Sequence, residues 1–140
     1  MAAEELDVTV VLPVFNEAGH LTTEIDRISA ALDASPYTWE IVVVDDGSTD
    51  GSGEQLRQLD VASDDRIRLI RFAHNRGSGS ARKAGTHAAR GRVVVWTDAD
   101  MTYPNDRIPE LVKELDGHDQ VVGARTSEQG THKAARVPAK

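Results

Sequence analysis

Val93-Val94-Val95-Trp96-Thr97-Asp98-Ala99-Asp100 is an apolar run that ends in two carboxylates. A continuous run of β-branched residues suits a strand covered on both faces, as in a parallel sheet, better than a half-exposed strand, which alternates. In extended backbone, side chains at i and i+2 share one side, so Asp98 and Asp100 project together while Ala99 faces away. Two readings of the pair stand at this point. It is a solvated turn or helix cap, or it is an oxygen seat for a hard divalent cation, since Mg²⁺ takes one or two carboxylates and completes its shell from substrate phosphates.

Working outward, three more runs have the same character: Val8 to Leu12, Glu40 to Val44 and Ile67 to Phe72, with a weaker fifth at Gln120 to Gly123. Helical stripes lie between them. Leu21, Ile25, Ile28 and Leu32 form one, and Ile108, Leu111, Val112 and Leu115 form another, at spacings of three and four. A helical stretch is also predicted from Gly77 to about Arg90. Strand and helix in repeated alternation predict an α/β fold, a mainly parallel sheet flanked by helices on both faces.

The chain has 140 residues, enough for one domain with a real core. Residues 1–124 read as that domain. Residues 125–140 carry Arg125, Lys133, Arg136 and Lys140 against the single acid Glu128, with no apolar period, and read as a basic loop or the truncated start of a further region. A net charge of −7 and few aromatics argue against a nucleic-acid binder. Cysteine is absent and the five His lack metal-ligand spacing, so neither disulfides nor thiolate zinc sites are expected. No stretch approaches the roughly 20 apolar residues of a membrane span, and no signal-like segment opens the chain. A cytoplasmic location is the expectation.

In open α/β sheets ligands bind beyond the carboxyl ends of the strands. The residues there are Pro13-Val14-Phe15-Asn16-Glu17, Asp45-Asp46-Gly47-Ser48-Thr49-Asp50-Gly51-Ser52, His74-Asn75-Arg76-Gly77-Ser78-Gly79 and Thr97-Asp98-Ala99-Asp100. Asp46 to Gly51 matches the first half of a calcium loop, but Arg57 stands where a bidentate Glu is required, so an EF-hand fails. Asp50 or Ser52 suits a helix cap, with Gln55 completing a Ser-x-x-Gln box. That leaves Asp45 and Asp46, which either close the turn or accept hydrogen bonds from a base or ribose. Gly77-Ser78-Gly79 either eases a tight turn or offers backbone N–H groups to an anion, with Arg76 and Lys83 adding positive charge. It is not a dinucleotide fingerprint, because Arg82 occupies the third glycine position.

Taken together these segments resemble the family 2 glycosyltransferases of the Rossmann-like GT-A nucleotide-sugar fold, most closely the dolichyl- or polyprenyl-phosphate mannosyltransferase-like branch. The likeness rests on Val11 to Glu17, Ile41 to Asp50, Asn75 to Gly79 with Lys83 and Gly85, Thr97 to Asp100 with Pro104, and Gly123-Ala124-Arg125. It covers nearly the whole chain, in the order of a family N-terminal part.

The resemblance implies that Pro13, Asn16, Glu17, Asp45 and Asp46 line a nucleotide pocket, with Lys83 near it. It implies that Asp98 and Asp100 hold Mg²⁺ or Mn²⁺ on the diphosphate of a GDP- or UDP-hexose, and that Arg125 contacts phosphate, with Arg136 as a second candidate. Thr102 stands where relatives often place a Gln ligand. The implied reaction is inverting transfer of mannose or glucose to polyprenyl phosphate at the cytoplasmic face of a membrane, without nucleic acid. A phosphate acceptor is already anionic and needs little base catalysis, whereas a hydroxyl acceptor needs a positioned carboxylate. The competing readings are a family 2 enzyme with a hydroxyl acceptor, a nucleotide-sugar-binding fragment without turnover and, least consistent with Asp98-Ala99-Asp100, a receiver-like acidic pocket.

Overall fold

The structure, a computed structural model, describes residues 5–61, 64–100 and 102–124. In chain order it contains β1 (Leu6–Val14), α1 (Leu21–Asp33), β2 (Trp39–Asp45), α2 (Ser52–Val61), β3 (Ile67–Arg71), α3 (Ser78–Ala88) and β4 (Gly91–Trp96). A 3-10 turn (Asn105–Arg107) leads into α4 (Ile108–Glu114). The four strands form one parallel sheet in the order β3-β2-β1-β4. Val10 is the registration point of the centre, opposite Ile41 on one side and Val95 on the other.

The apolar runs become strands because both faces of β1 and β2 are covered. On one face Val8, Val10, Leu12, Ile41, Val43 and Val95 pack with Leu21, Ile25, Ile28 and Leu32 of α1, Leu56 of α2, and Ile108 and Val112 of α4. On the other, Val42 and Val44 meet Ala81 of α3, with Ile70 and Phe72 beside them. Burying an aliphatic side chain of this size contributes about 1.5–3 kcal/mol, so the two stripes predicted from spacing are where the helices gain most of their stability.

Three expectations are corrected. The run that opened the sequence reading is not covered on both faces: Val94 is 36% and Trp96 59% exposed, while Val95 is buried. α3 packs mainly over β1 and β2 and meets the edge strand β4 through Thr86 and Arg82 at Trp96, which leaves much of that side of β4 open. Gln120 to Gly123 is not a strand; it has no sheet partner among the described residues, and Val122 is 67% exposed. The Ser-x-x-Gln box does not form either. Ser52 lies inside α2 and its hydroxyl donates to Asp50 Oδ1 at 2.5 Å while accepting the Glu17 N–H at 3.0 Å.

α3 approaches β1 closely at Gly85, where an added Cβ would stand 2.4 Å from Val11 Cγ1. Helix propensity alone favours alanine over glycine by about 1 kcal/mol, but the stiff, buried Val11 cannot yield that space. Gly85→Ala is therefore expected to destabilise by about 1–3 kcal/mol through overpacking. Urea unfolding of Gly85→Ala, Val11→Ala and the double variant checks this: the double variant should be more stable than the sum of the single losses allows.

Candidate functional site

The crossovers out of β1 and β3 run to opposite sides of the sheet, so the strand order reverses between β1 and β4. At such a switch point the loops beyond the strand ends diverge and leave a crevice. A cleft of about 240 Å³ lies there, bordered by Pro13, Glu17, Asp46, Gly77, Asp98 and Asp100. Phe15, 45% exposed, stands at its edge.

Its walls are stitched together by side chains of the Ser48 to Ser52 segment. Asn16, held at a left-handed φ of 54°, donates its N–H to Ser48 Oγ at 3.1 Å and accepts the Thr49 N–H on Oδ1 at 2.9 Å. The Ala18 N–H reaches Asp50 Oδ2 at 3.1 Å. Donation from the Ser52 hydroxyl, above all, holds the Asp50 carboxyl below its ordinary range. The loop after β2 thus clamps the loop after β1 and presents Glu17 to the cleft.

Asp46 performs a similar service for the glycine loop. Buried at 3% exposure, its two carboxylate oxygens accept the Arg76 N–H at 2.7 Å and the Gly77 N–H at 3.0 Å. Asp45 accepts the Ser48 N–H on Oδ1 at 3.0 Å; its Oδ2 is buried without a hydrogen-bond partner, 3.6 Å from Arg71 Nε. Gly47 at φ 75° allows the turn between them, where a Cβ would meet the Asn75 backbone N at 2.6 Å.

The Asp98 loop is anchored by residues that the sequence reading missed. The buried Asn105 donates from Nδ2 to Glu24 in α1 and to the Asp98 carbonyl at 3.3 Å, and accepts the Thr97 hydroxyl on Oδ1. Arg27 bridges Glu24 at 3.3 Å and Asp106 at 2.8 Å. The signal was present in part: Glu24 is an acid four residues from Ile28 and one from Ile25 on an apolar stripe, and such a buried charge needs partners.

Of the residues singled out by sequence, Pro13, Glu17, Asp46, Asp98 and Asp100 border the cleft. Asn16 and Asp45 support its walls without lining it, and Lys83 is exposed on α3. Arg125 and Arg136 lie outside the described residues. A larger cleft of about 400 Å³ sits at the amino ends of the strands, lined by Trp39, Glu40, Arg66 and Arg90 among others. Its charges are already matched: Glu40 lies 3.3 Å from Arg68 Nε and 3.5 Å from Arg90 Nε, and Arg66 stacks 4.1 Å from the Trp39 ring centre.

The smaller cleft is electrostatically unbalanced. The Glu17 carboxyl is pushed above its ordinary value of 4.5 by burial first, then by the charge of Asp100, with Asp50 and Asp98 adding to it against His20. Carboxylate oxygens are the donors hard divalent cations prefer, so Asp98 and Asp100 fit such an ion chemically. Among the described residues no three acid or imidazole groups converge as a complete metal site. A ligand would have to supply the remaining oxygens.

A parallel sheet flanked by helices, with acidic and glycine-bearing loops at its switch point, defines a Rossmann-like α/β domain. The chain belongs to glycosyl transferase family 2, whose model matches residues 9–137. It is 31% identical over 137 residues to the dodecaprenyl-phosphate galacturonate synthase of Rhizobium johnstonii, covering 96% of this chain and 40% of that protein. Over 116 residues it is 40% identical to the undecaprenyl-phosphate 4-deoxy-4-formamido-L-arabinose transferase of Edwardsiella ictaluri, covering 83% of this chain and 36% of that protein. Among solved structures it is similar to a mannosyltransferase from Pyrobaculum calidifontis in complex with GDP-Man and Mn²⁺, with a TM-score of 0.66 and 32% identity over 80% of this chain and 33% of that one. The chain thus spans about two fifths of the length of these curated relatives.

Two outcomes follow from the geometry. Asp46→Ala leaves two backbone N–H groups of the glycine loop without their acceptor, and should cost about 1–3 kcal/mol in urea unfolding. Glu17 has a folded value above its unfolded one, so the folded chain binds the extra proton and stability falls as pH rises from about 4.5 through that raised value. Glu17→Gln should therefore raise the melting temperature at pH 7, with the difference from the parent chain shrinking to nothing as pH falls below 4.5.

Proposed function

We propose that this chain forms the donor-binding part of an inverting glycosyltransferase that moves a hexose from a nucleotide diphosphate to polyprenyl phosphate, with Mg²⁺ or Mn²⁺ required. The observation that carries this reading is that Asp98 and Asp100 border the same cleft as Pro13, Glu17 and Asp46, at the switch point of the sheet. Two acids beyond the end of β4 meet there the loops that follow β1 and β2 and the segment that leads into α3. Support for the acceptor comes from the relatives: the sugars in their names differ, but dodecaprenyl and undecaprenyl phosphate are of one chemical class.

In this reading the base and ribose lie against the β1 and β2 loops, with Asp45 holding the second of these in place through the Ser48 N–H. Asp46 takes the Gly77 N–H, and the first turn of α3, beginning at Ser78 on the cleft edge, offers the next backbone N–H groups to the phosphates. Asp98 and Asp100 hold the divalent ion, and the ion when bound neutralises charge that grows on the leaving diphosphate. A polyprenyl-phosphate oxygen attacks the anomeric carbon from the opposite face. The bond from that carbon to the diphosphate oxygen breaks and its electron pair leaves with the nucleoside diphosphate. No proton has to be removed from such an acceptor, so no general base is required of this chain. Arg125 is proposed as a phosphate contact. None of the described helices is long and apolar enough to cross a membrane; the lipid acceptor is met at the cytoplasmic membrane surface.

Calorimetric titration with GDP-mannose, UDP-glucose, GDP and UDP, each with and without Mn²⁺, tests the donor half. At least one nucleotide should bind more tightly with the ion, and chelation by EDTA should reverse the gain. Loss of even a group that only orients a metal ligand typically costs about 10–100-fold in metal affinity, so Asp100→Ala, which removes a direct ligand in this reading, should abolish the Mn²⁺-dependent increment. Equal binding of every nucleotide with and without Mn²⁺ would refute the metal-bridged site.

A further inference from the structure

Arg82, which breaks the glycine pattern in the sequence, is a cation that reaches Asp98 at the cleft. Its Nη2 stands 3.4 Å from Asp98 Oδ1, with both side chains about two thirds buried. Its Nε is buried without a hydrogen-bond partner. The guanidinium lies 6.0 Å from the ring centre of Trp96, and the indole Nε1 of that ring donates to Thr86 Oγ1, one turn further along α3, at 2.9 Å. The helical turn that turns Lys83 to solvent turns Arg82 toward the end of β4.

We propose that Arg82 is the resident counterion of Asp98 and that it makes cation binding at Asp98 and Asp100 depend on the nucleoside diphosphate; the inference rests on the donor-site reading above. A divalent ion that takes Asp98 must share or displace the guanidinium, which leaves a +1 group held by Trp96 beside a +2 ion. That repulsion penalises the ion alone. A diphosphate brought in with the ion supplies the negative charge that both cations need, and the unpartnered Nε gives Arg82 a donor to offer a phosphate oxygen. Metal and nucleotide therefore bind cooperatively, and by linkage each strengthens the other by the same factor. Arg82 is a positioning residue in this scheme.

Mn²⁺ binding to the full chain is followed by the loss of the free-ion electron paramagnetic resonance signal, alone and with saturating GDP or UDP, for the parent chain, Arg82→Gln, Arg82→Met and Arg82→Lys. Arg57→Gln removes the same charge on α2, where Arg57 is 60% exposed and paired with Glu54, and serves as the control for net charge. The expected result is that Arg82→Gln binds Mn²⁺ alone about three- to tenfold more tightly, the size of a partly screened charge interaction, and that the nucleotide's strengthening of Mn²⁺ binding shrinks by the same factor. Arg82→Lys and Arg57→Gln should follow the parent chain. Arg82→Met reports in place of Arg82→Gln if the latter fails to show a cooperative urea transition. Unchanged or weaker Mn²⁺ binding in Arg82→Gln and Arg82→Met, with metal-dependent nucleotide binding intact in the parent, would overturn the role of Arg82 and leave the donor site standing. A parent chain that binds no Mn²⁺ with either nucleotide overturns both.

Discussion

The position of β1 is the constraint from which the site follows. It is hydrogen-bonded along both edges, to β2 and to β4, and its residues Val8 and Val10 to Leu12 are fully buried. A parallel strand in that place needs crossovers on both of its faces, and right-handed connections send α1 to one face and α3 to the other. The chain cannot satisfy β1 without reversing strand order at its edge, and the reversal is what parts the loops beyond Val14 and Trp96. The close approach of Gly85 to Val11 brings α3 down on the same strand. Core packing and cleft formation are thus one event.

The polar residues around the cleft differ in what they pair with. Asp46 and Asp50 accept backbone N–H groups, and Glu24 is bound by Asn105 and Arg27. These groups hold loops to one another, and burial makes their hydrogen bonds worth keeping. At the opening, Asp98 pairs with Arg82 and Asp100 accepts the Thr102 N–H at 3.1 Å, while the Glu17 carboxyl is raised by burial first and then by the charge of Asp100. A cleft that gathers Glu17, Asp98 and Asp100 beside the start of α3 suits an ion and a polyanion arriving together. Neither alone matches it as well, because acids repel phosphate and a lone dication meets Arg82.

Leu21, Ile25, Ile28 and Leu32, the strands around Val10 and Val43, and the segments that match the family were all legible in the chain, because period and turn chemistry are local properties. The end of β4 was misjudged. Its run is as apolar as that of β2, but a strand's two faces are covered by whatever helices land there, and α3 packs mainly on β1 and β2 and leaves Val94 and much of Trp96 exposed. Arg82, Asn105 and Glu24 were not legible as parts of the site, since their partners lie 16, 7 and 81 residues away in the chain.

The sequence by itself determined the alternation of strands and helices, the family, and the acids that stand at strand ends, since these depend on side-chain type and spacing along the chain. Tertiary structure alone decided which partner each acid takes. Asp45, Asp46, Asp98 and Asp100 are the same residue type after similar strands. Only the packing of the glycine loop against Asp46, of Arg71 against Asp45 and of Arg82 against Asp98 separates them.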